Sequence, residues 1–291
     1  MELKDFIHSK RPTLASSSIT TYASMLRSLY FKLYKSRDID YEKFNDSVTI
    51  LEYLKDLPAN RRKTILSALY VITNNNDYKT QMIDDVKTYN NQVATQEKTP
   101  QQKANWITTA EIEKVYKALS KQANLLYKKE QLTNKDIQEI QDYIIVALLG
   151  GIFIPPRRSK DLVDFKIKEI DPNLNYMEKK TMVFNSYKTA KFYGKQVIDI
   201  PPPLLKILKK WISINPTSFL LFDSNKNQLT AVKVTQRLNK IFGGKHIAVN
   251  SLRHSYLTGK YADTIKINES LSADMDAMGS SMKQSTLYVK R

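Results

Sequence analysis

Apolar positions recur along this chain with two different periods, and the change between them divides it. Behind the N-capping hydroxyls of Ser16, Ser17 and Ser18, the residues Ile19, Tyr22, Leu26, Leu29, Tyr30 and Leu33 recur at helical spacing, with Arg27, Lys32 and Lys35 off the stripe. That spacing predicts an amphipathic helix. A short helix follows over 47–54. A third runs from about Ala59 after Pro58, with Ile65, Leu66, Leu69 and Ile72 inward and Arg61, Arg62 and Lys63 near its start. Asn74, Asn75 and Asn76 end it, and 79–92 reads as a fourth. Residues 96–105 contain no large apolar side chain and predict a linker. The expected organisation is a helical domain over 1–95, a linker over 96–105 and a second domain over 106–291.

In the second domain, Thr108 and Glu111 have the spacing of a capping box. The polar, basic stretch 121–135 predicts a loop or helix extension. Residues 140–153 are strongly apolar and long enough for a buried helix, closed by Gly150 and Gly151 and stopped by Pro155 and Pro156. The period then shortens. Runs at 176–178, 181–186 and 196–200 carry β-formers, with 188–194 as the turn between the last two, which predicts a small antiparallel sheet of three strands. Helices are expected over 204–212 and 230–242, the latter with Val234, Leu238 and Ile241 on one face before Gly243 and Gly244. No internal repeat is visible.

Composition narrows the chemistry. At 291 residues and 42% hydrophobic content the chain can build two cored domains. No run of about 18 apolar residues occurs, and Met1 to Asp5 lacks the apolar core of a signal peptide, so a soluble intracellular protein without a membrane anchor is expected. Zero cysteines remove disulfides and thiolate chemistry, and three histidines, His8, His246 and His254, make a histidine metal cage a poor expectation. The net charge of +17 is uneven: residues 1–98 carry 15 basic and 12 acidic residues, for +3, leaving 31 and 17, for +14, in 99–291. Such a field favours a polyanion, most simply nucleic acid. A lysine-rich surface serving solubility is the alternative.

One stretch suggests what is done to that polyanion. Arg253 stands at the start of an amphipathic segment, Asn250 to Tyr256, and Tyr288 follows in a chain without cysteine, which points to phosphate chemistry by a phenolic nucleophile. The blocks around them resemble the tyrosine recombinases, or phage-integrase family. Arg158-Ser159-Lys160-Asp161-Leu162 resembles the family's Arg-x-x-Glu-Leu block, with Asp161 where Glu is usual. Tyr187-Lys188-Thr189 sits where the family has its β-hairpin lysine. Asn250-Ser251-Leu252-Arg253-His254-Ser255 is similar to His-x-Leu-Arg-His-Ser/Thr, with Asn250 for the first histidine. Met278-Gly279-Ser280-Ser281 resembles Leu/Met-Gly-His-Ser, with Ser280 for the second, and Tyr288 stands nine residues after Gly279. The first block and the short tail are similar to versions carried by viruses and mobile elements.

The resemblance implies a mainly α fold with a small antiparallel sheet: a two-domain DNA clamp, with an all-α core-binding domain and an α+β catalytic domain. It implies site-specific strand exchange, integration or excision, through a 3′-phosphotyrosyl intermediate, without metal, ATP or cofactor. The partners it implies are double-stranded DNA and a homo-tetramer assembled on it, and it admits accessory DNA-bending proteins. It places the protein in a prokaryotic cytoplasm, or in a host nucleus or viral factory. Tyr288 attacks phosphorus, Arg158 and Arg253 hold the non-bridging oxygens, Lys188 protonates the leaving oxygen, and Asp161 braces the arginine or residue 250.

The same assignments follow physical needs. A phosphorane-like transition state needs positive donors on both non-bridging oxygens, and guanidinium forks supply them with permanent charge. Each has a plain competitor: Arg157 beside Arg158, Lys191 and Lys195 beside Lys188, and ordinary packing for a terminal tyrosine. Tyr256, Tyr261 and His254 are expected in structural roles. Asn250 and Ser280 donate hydrogen bonds but do not titrate near neutrality as histidine does, leaving water, Lys188 or His246 to take the proton of Tyr288. Two other readings keep most of this pattern: a type IB topoisomerase-like nicking and closing enzyme, and a non-catalytic DNA-binding relative that has lost both histidines.

Overall fold

In the computed structural model, which describes residues 2–285, the chain divides into two compact units between Thr99 and Pro100. The first is all helical: α1 (Leu3–Lys10), α2 (Ser16–Tyr34), α3 (Ser47–Leu54), α4 (Ala59–Thr73) and α5 (Asn76–Ala94). The apolar stripes meet in one core of Leu26, Leu29, Phe44, Ile50, Leu66, Leu69 and Tyr78. Two helices end as their sequences require, with Lys35 and Asn74 in the left-handed region after α2 and α4. Arg62 does not face solvent freely: its guanidinium donates to both oxygens of Asp85 at 2.6–3.1 Å, and that carboxylate is buried. Residues 3–10 form a helix that the apolar spacing had not announced.

The second unit contains α6 (Pro100–Ala104), α7 (Thr109–Leu126), α8 (Asn134–Leu149), α9 (Ser159–Val163), β1 (Phe165–Lys166), β2 (Asn175–Glu178), β3 (Thr181–Phe184), α10 (Ala190–Tyr193), β4 (Gln196–Asp199), α11 (Pro202–Ile214), α12 (Ala231–Ile241) and α13 (Val249–Ala277). A one-turn helix, α6, thus lies inside the stretch read as linker. The Thr108–Glu111 capping box is present, and Thr133 with Asp136 forms a second that starts α8. α8 is the core helix: Ile140 and every residue from Tyr143 to Leu149 are buried, packed with Trp211, Leu220, Leu238 and Leu252. Arg237 of α12 reaches α8 by donating to Asp142 at 2.8 Å.

The sheet has four strands rather than three, in the order β1-β2-β3-β4, and it is mixed. β2–β3 and β3–β4 are antiparallel as expected; β1 adds a parallel edge through Phe165 and Lys166 opposite Asn175 and Tyr176. A two-residue strand carries no period, so β1 has no sequence signature. The fold is mainly α with a small mixed sheet. Among the described residues no helix is long and apolar enough to cross a membrane.

Candidate active site

Pro155 and Pro156 hold the chain extended after α8, and Arg158 keeps that geometry (φ −69°, ψ 151°) as the residue that begins α9. Extended backbone turns successive side chains to opposite sides, and the two arginines part accordingly. Arg157 goes inward. Its Nε donates to Asp161 Oδ2 at 3.0 Å and its Nη1 to Gln196 Oε1 of β4 at 2.8 Å, while its guanidinium lies 3.9 Å from the Phe184 ring and 5.1 Å from the Tyr187 ring. Asp161 is 2% exposed, and its other oxygen, Oδ1, accepts nothing among the described residues. The expectation that Asp161 braces Arg158 or residue 250 is therefore corrected: it braces Arg157, the neighbour whose i,i+4 position lies over it. Arg158 remains partly exposed; its carbonyl accepts from the Asp161 N–H, but its guanidinium has no hydrogen bond or ion pair among the described residues.

A second tie comes from Asn175, fully buried at the start of β2. Its Nδ2 donates to the carbonyls of Asp161 and Ser186 at 2.9 and 2.8 Å, and its Oδ1 accepts from the backbone N–H groups of Asn185 and Ser186. One amide thus fastens α9 to the chain just ahead of Lys188. Lys188 itself is not in the sheet, since β3 ends at Phe184; it lies in the β3–β4 connection and is exposed, as are Lys191 and Lys195. Of the three, Lys188 is adjacent in sequence to Tyr187, the ring that touches Arg157.

α13 presents the next block. Leu252 and Ser255 face inward, and the Ser255 hydroxyl donates to the Ile107 carbonyl and to Ser251 O, fixing the first turns of the helix against the segment that leads into α7. On the neighbouring face, Arg253 Nη1 donates to Asn250 Oδ1 at 3.3 Å, which leaves the amide N–H groups of the exposed Asn250 available to donate. Tyr256, one turn on from Arg253, packs on Gly151, which has φ +75° and would bring a Cβ within 2.5 Å of the Tyr256 ring. The start of α13 thus lies against Gly151, just past the end of α8 and seven residues before Arg158. His246 is exposed and engaged through its backbone N–H by Asn105 Oδ1. His254 and Tyr261 are exposed too, which corrects the expectation that they pack; both lie on the side of α13 away from Leu252 and Ser255.

The last block is not beside the others. Residues 249–277 form one continuous helix, and Met278 to Ser281 close it in a Schellman motif, with Gly279 at φ +68°, Gly279 N–H donating to Asp276 O at 3.0 Å and Ser280 N–H to Met275 O at 2.8 Å. At 1.5 Å per residue, α13 separates Ser280 from Asn250 by about 40 Å. The single glycine inside it, Gly259, sits against Thr109 and does not break it. The expected meeting of Ser280 with Asn250 and Arg253 is accordingly not seen in this conformation. Tyr288 lies outside the described residues.

Against solved structures, the chain is similar to a lambda integrase dimer bound to a COC′ core site, with TM-score 0.49 and 14% identity over 90% of this chain and 70% of that one. It is similar to the Tn1549 transposon integrase in complex with circular intermediate DNA, with TM-score 0.46 and 12% identity over 91% and 88%, and to XerA recombinase, with TM-score 0.37 and 13% identity over 88% and 82%. All three are recombinases or integrases. By sequence, no family model and no curated protein matches the chain.

What these residues can do is donate to a phosphate. Arg158, Arg253 and the Asn250 amide are donors, and none of the three is locked into a buried ion pair. Sequence reasoning missed Arg157, Asn175 and Gln196 as the frame of this site. A buried asparagine at a strand start carries no local signature, and Arg157 differs from Arg158 only in which way the extended chain turns it.

Proposed function

We propose that this chain is a site-specific tyrosine recombinase acting on duplex DNA, serving integration or excision of a viral or mobile genome. The observation that carries the reading is the division of labour between adjacent arginines: Arg157 is consumed by Asp161, Gln196 and two rings, while Arg158 at the head of α9 is left with its guanidinium available. A basic unit that buries one arginine to hold the next one outward is built to engage an anion. Tyr288 gives its proton to water, Lys188 or His246, attacks phosphorus and forms a 3′-phosphotyrosyl bond as the 5′-oxygen leaves; Arg158 and Arg253 neutralise the non-bridging oxygens, Asn250 donates a hydrogen bond to them, and Lys188 gives the departing oxygen its proton. The new ester keeps the bond energy, so rejoining needs no ATP and the reaction needs no metal. Ser280 joins the phosphate only when α13 bends or a second protomer supplies it. Residues 1–95 and the unit that follows each bind the duplex, and four protomers act in pairs.

The test is a nicked suicide duplex from the ends of the protein's own element, incubated with the protein, denatured and examined for a covalent band. The expected result is an adduct in the wild type that is lost in Tyr288→Phe. A protein that binds this duplex yet yields no adduct is instead a non-catalytic relative. An adduct without junctions between two sites indicates a topoisomerase-like monomer.

A further inference from the structure

The β3–β4 connection carries two aromatic side chains that the proposed chemistry does not use. Phe192 is 85% exposed and Tyr193 70%, more than any other aromatic residue among the described exposed hydrophobics. A single exposed ring is ordinary, but two in succession at one tip are not. Nor is the tip loose: Phe192 and Tyr193 N–H groups donate to Thr189 O, Gly194 N–H donates to Ala190 O, and the Tyr187 hydroxyl donates to Gly194 O at 2.6 Å. Gly194 adopts φ 64°, ψ −158°, a conformation reserved for glycine, with open space where a Cβ would be. The backbone is therefore ordered so that the rings stand out.

Charge says what they meet. Lys188, Lys191 and Lys195 flank the rings along the chain, all exposed, and no acidic residue occurs between Glu178 and Asp199. Apolar rings alone would suit a protein partner; rings within a field of one sign suit a polyanion with flat apolar faces inside it. We infer that Phe192 and Tyr193 stack on nucleobases that unstack or unpair beside the phosphate engaged by Lys188, making the connection a base-stacking wedge. This rests on the DNA-processing reading above and adds the contact that opens the duplex at the reacting step. Inserted apolar side chains part base steps and kink the duplex, which exposes the backbone for attack.

Equilibrium binding to an intact duplex and to the same duplex with a short gap of unpaired bases tests this, a fluorescent base analogue in the gap reporting stacking. The wild type is expected to prefer the gapped duplex and to quench the analogue. Phe192→Ala and Tyr193→Ala each lose about tenfold in affinity for the gapped duplex. Both keep the wild-type salt dependence, and Phe192→Trp restores binding; Lys191→Ala instead lowers the salt slope by about one unit. Alanine variants that bind and quench like the wild type overturn the inference while leaving strand cleavage standing. So does a loss of self-association with unchanged DNA binding, which would make the tip a contact between copies. A wild type that binds neither duplex overturns both this wedge and the recombinase reading.

Discussion

Replacing Arg157 with alanine should unfold the second unit far more readily than replacing Arg158, although the two are adjacent and chemically identical. The Asp161 carboxylate is 2% exposed and already has one oxygen without a partner, so loss of Arg157 leaves a buried charge uncompensated. Breaking such a pair costs about 3–5 kcal/mol. The lost cation–π contact with Phe184, at 3.9 Å, adds roughly 1 kcal/mol. At about 2–4 °C per kcal/mol for a unit of this size, melting should fall by roughly 8–24 °C. Arg158→Ala removes a partly exposed side chain with no described partner and should change stability by less than about 0.5 kcal/mol. Thermal unfolding followed by circular dichroism measures both, and the double variant Arg157→Gln, Asp161→Asn should recover part of the loss because no lone charge remains. In the suicide-duplex assay the order reverses: folded Arg158→Ala should cleave about 10²–10³-fold more slowly, as for a lost transition-state donor. Equal melting losses for the two single variants, or wild-type cleavage by Arg158→Ala, would refute the division of roles.

Gly151→Ala places a Cβ 2.5 Å from the Tyr256 ring at φ +75°, so it should destabilise the second unit by about 2 kcal/mol and loosen the start of α13; a melting temperature unchanged within error contradicts this. Asp136, at the head of α8, is held near pKa about 2 by the Lys129 ammonium first and by Thr133 next. Its folded value lies below the ordinary carboxylate value of about 4, so its stabilisation is fully present above that pH and is lost as pH falls through about 2. Asp136→Asn should therefore melt lower than the wild type at neutral pH and converge with it near pH 2, whereas a gap that stays constant across acid pH would assign the effect elsewhere.

The sequence by itself determined whatever depends on neighbours in the chain. Helical spacing announced α2, α4, α8 and α12, and the Thr108–Glu111 box announced the start of α7, because capping is satisfied within a few residues. The candidate donors Arg158, Lys188, Asn250 and Arg253 were legible for the same reason, as short blocks with fixed spacing. Tertiary structure decided what depends on distant partners. β1 exists because β2 on one side and the 218–220 segment on the other offer it backbone partners, and its parallel pairing with β2 made the sheet mixed. Asp161 chose Arg157 once α9 had turned that side chain under Phe184 and against Gln196, residues far along the chain. Asn175 became the clamp between α9 and the β3–β4 connection through hydrogen bonds spanning 11–14 residues. The length of α13 was likewise decided at large scale: a helix without a breaker continues, and it carries Ser280 away from Arg253 however suggestive their order in sequence. Periodicity and capping are local energies and can be read from one strand of text, whereas the pairing of buried polar groups is settled only when the whole core closes around them.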